Sequence, residues 1–255
     1  MNKIICKQLP RELEEIELYA VADLHAGDTL SRMDEFMDFI TFILERENRY
    51  IITLGDLMNN NLKSSVGSVY EDIIPPNQQK KEIVRQLEPA RERILAMTGG
   101  NHEERTKKDA DQDITEEIAY RVGATYAEDE IVLKLSFGEK PHNGKPQVYT
   151  IYASHGCAGG RKPGNALNWL VDMSGNIFAD LYFAAHKHQR SSHRQIFRLP
   201  DLHNNNIREV EQLFVLTPSW LEYGGYARRK QYSPQVRGAA KVVLQAALKK
   251  TICEV

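Results

Sequence analysis

Cysteine is scarce in this sequence, and its positions are far apart. The three cysteines, Cys6, Cys157 and Cys253, are odd in number and form no C-x-x-C pair. This excludes a disulfide framework and a thiolate-based structural zinc site. Such usage is typical of a reducing compartment, and we expect a cytoplasmic location.

Long apolar runs are also missing. No stretch of about 18 uncharged apolar residues occurs, which argues against a transmembrane helix. Charges at Lys3, Lys7, Arg11 and Glu12 leave no apolar segment for an N-terminal signal peptide. We therefore expect no membrane partner. A chain of 255 residues with 42% hydrophobic and 27% charged residues is typical of one globular domain, or at most two small ones.

The charge is nearly balanced overall but unevenly spread. The formal net charge is −2, which does not suit a general nucleic-acid coat protein. Residues 1–60 hold 6 Lys/Arg and 12 Asp/Glu, whereas residues 186–255 hold 12 and 5. The basic C-terminal part can face an anion locally, although a solvated surface is the ordinary interpretation of such an asymmetry.

Hydrophobic patterning predicts alternating strands and helices. Five short apolar runs have the length of buried strands, at residues 16–22, 50–54, 94–98, 148–153 and 181–185. Helical periodicity marks residues 33–47, 78–87 and 114–122, with Ser31 available to cap the first helix, and residues 241–250 are either a late helix or a strand. Residues 138–147 predict a hairpin loop between two strands. The alternation indicates an α/β fold with mixed sheets.

Each of the five runs is followed at once by polar residues that can bind a metal. These residues are Asp23, His25, Asp56, Asn101, His102, His155, His186 and His188. Because the carboxyl ends of strands form the ligand crevice in such sheets, we expect these side chains to meet. Nitrogen and oxygen donors without a thiolate suit Mn²⁺, Fe, Zn²⁺ or Ni²⁺. Without His102, the set is two Asp, one Asn and four His, and seven ligands suit two divalent ions, about 3.5–4 Å apart, that share a carboxylate.

The order of these motifs is specific. Asp-x-His, Gly-Asp, Gly-Asn-His-Glu, an isolated His and His-x-His follow one another over residues 23–188. This series resembles the calcineurin-like metallophosphoesterase superfamily, and residues 59–72, 98–103 and 155–161 resemble a branch found in bacteriophages and prophages. The resemblance implies a four-layer αββα sandwich with two mixed β-sheets. It also implies a single domain over residues 1–255, with a motif core at 16–190 and the basic part at 191–255 completing the sandwich.

The resemblance further assigns roles to individual residues. It places Asp23, His25 and His188 on one metal, Asn101, His155 and His186 on the other, and Asp56 as the bridge between them. Mn²⁺ is the favoured ion. Both Asp56 and His102 are implied to be catalytic, with His102 beside the substrate rather than on a metal. A metal-bridging hydroxide would attack phosphorus, and His102 would stabilise the equatorial oxygens or protonate the leaving alkoxide.

Two positions depart from the superfamily pattern. Asn59 stands where an Asp often orients the catalytic His; an Asn can accept a hydrogen bond from the ring but supplies no charge. Ala185 stands where Gly commonly precedes His-x-His, and its methyl group narrows the site. The residues expected to contact the substrate are Asn59, Asn60, Arg161, Lys162 and Arg190.

The favoured function is a phosphodiesterase or nuclease that acts on nucleic acid or nucleotides. The alternative is a phosphomonoesterase, including a protein phosphatase, although Asn60 stands where such phosphatases carry an Arg. A non-catalytic scaffold is less favoured because every ligand and His102 are present. The sequence Arg228-Arg229-Lys230 lies among tyrosines, which is either a cationic patch with stacking rings or an ordinary turn.

Overall fold

The computed structural model describes residues 4–65, 67–157 and 163–254. Within these ranges, strands and helices alternate along most of the chain. The strands are β1 Ile5–Gln8, β2 Glu15–Val21, β3 Arg49–Leu54, β4 Ile94–Thr98, β5 Tyr126–Ala127, β6 Glu130–Phe137, β7 Gln147–Ser154, β8 Leu181–Ala184, β9 Ser191–Asp201, β10 Asn206–Leu216, β11 Ala240–Gln245 and β12 Thr251–Glu254. The α-helices are α1 Met33–Leu44, α2 Pro76–Leu87, α3 Asn101–Ala110, α4 Ile114–Val122, α5 Pro163–Asp172 and α6 Gly225–Arg229.

The strands form two mixed sheets of six strands each. One sheet has the order β1-β6-β7-β8-β10-β9, and the other has the order β12-β11-β2-β3-β4-β5. In the second sheet, β2, β3 and β4 are parallel and β11 joins β2 antiparallel. In the first sheet, β7, β8 and β10 are parallel and β6 joins β7 antiparallel. The predicted α/β fold with two mixed sheets is therefore confirmed.

Strand β2 shows why its run of apolar residues is nearly continuous. Leu18 and Ala20 belong to the core between the two sheets, whereas Tyr19 and Val21 belong to the core under helices α1, α2 and α4. Successive side chains of a strand point to opposite faces, so both faces of β2 must be apolar when both are covered. Helix α5 covers the outer face of the other sheet. The result is a four-layer arrangement of helices, two sheets and helices.

The helix ends follow local signals to different degrees. Helix α4 begins at the predicted residue, where the Asp113 carboxylate accepts a hydrogen bond from the Glu116 N–H, and it ends at Gly123, whose φ is 72°. Helix α1 has no side-chain cap among the described residues, because the Ser31 hydroxyl donates to the Leu24 carbonyl instead. The expected cap at Ser31 is therefore wrong.

Two exclusions drawn from composition can be compared with the structure. No helix in the described ranges is both long enough and apolar enough to cross a membrane. No disulfide bond joins any pair of the three cysteines, all of which lie in those ranges.

Candidate metal centre

The carboxyl ends of strands from both sheets meet at one edge of the sandwich. Backbone hydrogen bonds join the segments that leave these strands, from the Asp23 N–H to the Gly55 carbonyl at 3.1 Å and from the Ala185 N–H to the His155 carbonyl at 3.0 Å. A third bond crosses between the sheets, from the His186 N–H to Asp23 Oδ2 at 3.0 Å. Residues distant in sequence are thereby fixed beside one another.

The predicted metal-binding side chains converge at this edge in three overlapping groups. In each group the donor atoms lie within 4.8 Å of one another. The groups are Asp23, His25 and His188; His25, Asp56 and His102; and Asp56, His155 and His186. Asp56 is common to two of the groups, and the Asn101 amide oxygen lies 3.0 Å from His155 Nε2. All seven residues predicted as ligands are therefore close together.

The backbone at this edge adopts an uncommon conformation. Five residues of the cluster have φ in the left-handed region, between 47° and 64°. They are Asp23, His25, Asp56, His186 and His188. This conformation costs about 1 kcal/mol or more for a residue other than glycine, and it is concentrated at functional sites. The tight turn after each strand directs the side chains into the crevice.

Each of the two aspartates uses one oxygen on the protein and leaves the other toward the cluster. Asp23 Oδ2 accepts the His186 N–H, while Asp23 Oδ1 is buried and lies 3.2 Å from His188 Nε2. Asp56 Oδ1 accepts the His102 N–H at 2.8 Å, while Oδ2 lies 3.2 Å from His155 Nε2. A buried carboxylate oxygen that faces histidine nitrogens is what a cation site with mixed oxygen and nitrogen ligands requires.

The histidine rings also direct nitrogen atoms into the cluster, where the nitrogens face one another. The Nδ1–H of His155 donates to the Leu54 carbonyl at 2.7 Å, which directs Nε2 toward His186 Nδ1 at 3.2 Å. His25 Nε2 and His188 Nε2 are 3.4 Å apart. Nitrogen atoms that face one another at these distances are stable together when a cation or a proton lies between them. The donor set therefore fits divalent metal ions.

Electrostatics strengthen this fit. Burial alone would raise the pKa of Asp56 and of Asp23, but neighbouring histidines outweigh burial and hold both values below the ordinary range. Burial alone would lower the pKa of His155, but the charges of Asp56 and Asp23 raise it to about 10. The carboxylates thus stay ionised and create a field that attracts positive charge.

Glu103, the last residue of the Gly-Asn-His-Glu motif, stabilises the backbone that carries the metal-binding side chains. It is only 2% exposed, and its carboxylate accepts hydrogen bonds from the N–H groups of Asp56 at 2.9 Å, Met58 at 2.9 Å and Gly100 at 3.1 Å. One buried side chain therefore ties the turn after β3 to the start of α3. The sequence did not assign it a role.

His102 lies between the two outer groups, which are the group with His188 and the group with His155 and His186. Its Nδ1–H donates to the Asn59 carbonyl at 2.6 Å, and its ring packs edge-on against His25 with centroids 4.4 Å apart. Burial and the charge of His25 lower the pKa of His102 to about 3. The ring is neutral at pH 7 in this environment, with its Nε2 atom 3.9 Å from Asp56 Oδ2.

The residues expected to contact substrate have different positions. The Asn59 amide donates to Asp72, and the fully buried Asn60 amide donates to the His102 carbonyl and to Thr106. Both amides form hydrogen bonds within the protein, and their contact with substrate stays a prediction. Arg190 is half-buried, two residues after His188.

Two of those expected contacts, Arg161 and Lys162, lie outside the described residues. Sequence reasoning also missed Gln79 and Arg105, which bond the segment beside His102. Their partners are brought near by tertiary packing, and no local pattern marked them.

Comparisons with known proteins agree with this geometry. A model of the calcineurin-like phosphoesterase family matches residues 16–217. A search of curated proteins finds no match to the chain. The match to the family model spans most of the chain and contains every residue of the three groups.

The fold is also similar to solved structures at low sequence identity. Nuclease MPE from Pseudomonas putida is 12% identical, over 93% of this chain and 87% of that chain, with a TM-score of 0.38. A predicted phosphoesterase from Streptococcus pneumoniae TIGR4 is 11% identical, over 95% and 99%, with a TM-score of 0.39. Zinc-complexed Vps29 from Entamoeba histolytica is 10% identical, over 94% and 97%, with a TM-score of 0.39. On the match to the family model, the chain belongs to the calcineurin-like phosphoesterase family.

Proposed function

We propose that this protein is a phosphoesterase that uses two divalent metal ions and hydrolyses phosphodiesters in nucleic acid or nucleotides. The observation that carries the proposal is the position of Asp56. Its carboxylate belongs both to the group with His25 and to the group with His155 and His186. A carboxylate shared between two sets of donors is the arrangement that a dinuclear centre requires.

The outer groups supply the ligands. Asp23, His25 and His188 would hold one ion, and Asn101, His155 and His186 would hold the other, with Asp56 between them. Divalent ions bound there supply Lewis-acid polarisation of phosphoryl oxygens and lower the pKa of water toward about 7. The mixed imidazole and oxygen donors suit Mn²⁺, Fe, Zn²⁺ or Ni²⁺. Among these ions, Mn²⁺ is the one that we favour from the resemblance to the superfamily.

His102 would act on the substrate through Nε2. Its Nδ1–H is committed to the Asn59 carbonyl, so only Nε2 can exchange a proton with a reacting group. The negative charge of a bound phosphoester would favour a second proton on the ring. His102 would then donate that proton to the leaving oxygen, a contribution of about 10²–10⁴-fold in rate.

Support for a nucleic-acid substrate comes from the segment that follows β10. The Trp220 N–H donates to the Asp23 carbonyl at 3.1 Å, which fixes this segment to the rim of the centre. It continues to Tyr223, which is 45% exposed, and to the exposed Arg228 and Arg229 of α6. Neither arginine forms an ion pair with a carboxylate in the described ranges. Cationic groups with nearby rings suit the phosphates and bases of a single strand.

The activity can be tested with paired small substrates. With Mn²⁺ added, we expect faster hydrolysis of bis-p-nitrophenyl phosphate than of p-nitrophenyl phosphate. A preference for the monoester would favour the phosphomonoesterase alternative. Inactivity toward both, with two metals bound, would favour a scaffold.

The roles of two residues can be separated by metal analysis. We expect Asp56→Asn to lose tight binding of both ions, since it holds each of them. We expect His102→Ala to keep both ions and lose most turnover. An Asp56→Asn protein that still bound two ions tightly, or a His102→Ala protein that lost them, would contradict these assignments.

The contribution of the segment from Trp220 to Arg229, which we call the rim, can be tested by binding instead of turnover. We expect Arg228→Ala/Arg229→Ala to weaken binding of a labelled single-stranded oligonucleotide and to reduce the slope of log affinity against log salt by up to about 1.4. Hydrolysis of bis-p-nitrophenyl phosphate should be unchanged. The matched control is Arg46→Ala/Arg91→Ala. It removes two exposed charges that precede the amino ends of β3 and β4, whereas the metal centre lies at the carboxyl ends. Equal effects in the two double variants would refute a rim-specific contact.

We also propose that residues 1–255 form a single domain. This is supported by the C-terminal part, which contributes β9 and β10 to one sheet and β11 and β12 to the other. Membership of the phage and prophage branch and a cytoplasmic location are proposals that stand on the sequence alone.

A further inference from the structure

A carboxylate outside the metal groups is bound to the segment that orients His102. Asp72 is half-buried in the loop before α2. Its Oδ1 accepts hydrogen bonds from the side-chain amides of Asn59 at 2.7 Å and Asn61 at 2.8 Å. It therefore holds residues on both sides of Asn60, in the three-residue stretch 59–61 that we call the asparagine segment.

A second side chain completes this attachment. Gln79 Nε2 donates to Asp72 Oδ2 at 2.8 Å, and Gln79 Oε1 accepts the Asn60 N–H at 2.9 Å. Gln79 is fully buried. It packs so closely on Gly27 that a Cβ atom there would lie 2.2 Å from Nε2. The amide of Gln79 is thus confined, and through it both oxygens of Asp72 are linked to the asparagine segment.

The opposite side of the segment is bound to helix α3. Arg105 donates from one guanidinium nitrogen to the Asn59 carbonyl at 3.0 Å and to Asn61 Oδ1 at 3.2 Å. The Asn60 amide donates to the His102 carbonyl at 2.6 Å. The Asn59 carbonyl that receives the His102 Nδ1–H is therefore fixed from two sides.

We infer that Asp72 is a positioning residue for His102 that acts through the amides of Asn59 and Asn61. This inference rests on the proposed function for its kinetic part. The Asn59 side chain is turned to Asp72, so the backbone carbonyl of Asn59 is the group that faces the ring. The negative charge sits one side chain further from the ring than a carboxylate at position 59 would place it. Hydrogen bonds to a charged acceptor are the stronger kind, which suits a fixed support.

Loss of Asp72 should therefore act on the rate and leave substrate and metal binding almost unchanged. Displacement of a reacting group by about 1 Å can cost about 10²-fold in rate. For Asp72→Ala we expect kcat on bis-p-nitrophenyl phosphate to fall about 10- to 100-fold, with KM within about threefold of wild type and two metals retained. The matched control is Asp109→Ala, which removes an exposed carboxylate whose bond is to the Ser64 hydroxyl.

A double variant distinguishes positioning from general damage. If Asp72 acts only through His102, adding Asp72→Ala to His102→Ala should lower kcat no further, because effects of residues that act as a unit are not additive. A further fall of tenfold or more would overturn the inference. So would a wild-type kcat in Asp72→Ala alone.

A spectroscopic readout keeps the test independent of turnover. In long-range ¹H–¹⁵N spectra of the metal-loaded wild type, we expect one resolved Nδ1–H tautomer for the His102 ring, identified by its loss in His102→Ala. In Asp72→Ala we expect this signal to broaden or to shift toward mixed tautomers. If Asp72→Ala fails to fold, Asn59→Ala removes the bonded amide and keeps the carbonyl, and the same change is expected. An unchanged ring signal in the variant measured would refute the role of Asp72 even if the protein proved to lack phosphoesterase activity.

Discussion

Replacement of Glu103 by alanine tests how the turn after β3 is held. The substitution leaves the N–H groups of Asp56, Met58 and Gly100 without their acceptor in a buried site. An unsatisfied buried donor costs about 1–3 kcal/mol. Part of that cost is offset, because burial and the charge of Asp56 already raise the pKa of Glu103 and disfavour its ionised form.

We expect the metal-free Glu103→Ala protein to lose about 3 kcal/mol of unfolding free energy, which is the lower end for removing one partner of a buried charged network. For a chain of this size, that corresponds to a fall in Tm of about 6–12 °C. Glu103→Gln should lie between wild type and Glu103→Ala. One oxygen can still accept hydrogen bonds, but the amide NH₂ must face at least one backbone N–H.

The assay is thermal unfolding in EDTA, followed by circular dichroism. Glu104→Ala is the matched control. Glu104 is the next residue of α3 and is exposed, and its ion pair with Lys108, at 3.1 Å, contributes less than about 0.5 kcal/mol. If Glu103→Ala unfolded within about 2 °C of Glu104→Ala, the three hydrogen bonds would not support the centre as argued.

Three further outcomes are expected. In Gly55→Ala the new Cβ would lie 2.2 Å from the Gly100 nitrogen at a φ of 81°, so urea denaturation should show a loss of unfolding free energy above about 3 kcal/mol. Gly123→Ala is the control, because Gly123 has a φ of 72° and open space around it, and it should lose only about 1 kcal/mol. Equal losses in the two variants would refute the role of the close contact. Burial alone would raise the pKa of Glu17, but hydrogen bonds that include one from Arg49 hold it below its usual value. The stability that ionised Glu17 contributes is therefore complete above about pH 4.5 and is lost as pH falls through the folded pKa. The urea midpoints of wild type and Glu17→Gln should converge as pH falls below the folded pKa, and a constant gap would contradict this. Chelation should lower Tm, because ions at about 100 times Kd stabilise the folded state by about 2.7 kcal/mol, and a Tm unaffected by EDTA would argue against bound metal.

The predicted parts of the fold are those in which burial leaves a local pattern. Strands β2, β3, β4, β7 and β8 coincide with apolar runs because sheets covered on both faces need such runs. Helix α3 buries only Glu103 and carries no apolar stripe, so its sequence gives no helical periodicity. Strand β9, at the edge of its sheet, alternates only between half-buried and exposed residues and was not predicted.

The candidate site divides in a similar way. The convergence of the strand-end residues follows from sheet geometry, so the sequence order was sufficient to anticipate it. The direction of the Asn59 side chain was not accessible, because it depends on Asp72 in a different loop. The sequence allowed the Asn59 amide as the acceptor for His102, whereas the structure gives that part to the backbone carbonyl. A residue's neighbours along the chain do not reveal which of its polar groups tertiary packing will use.

The left-handed backbone of the strand-end residues has a consequence for which substitutions these positions tolerate. At Asp23, His25, Asp56, His186 and His188, replacement by glycine would relieve backbone strain of about 1 kcal/mol at each position. At Asp23 and Asp56 that gain is offset, because glycine would leave the N–H groups of His186 and His102 without their acceptors, at a cost of about 1–3 kcal/mol each. The strained turn and its carboxylate therefore stabilise the strand ends together, and removing the strain at these two positions should lower the stability of the protein.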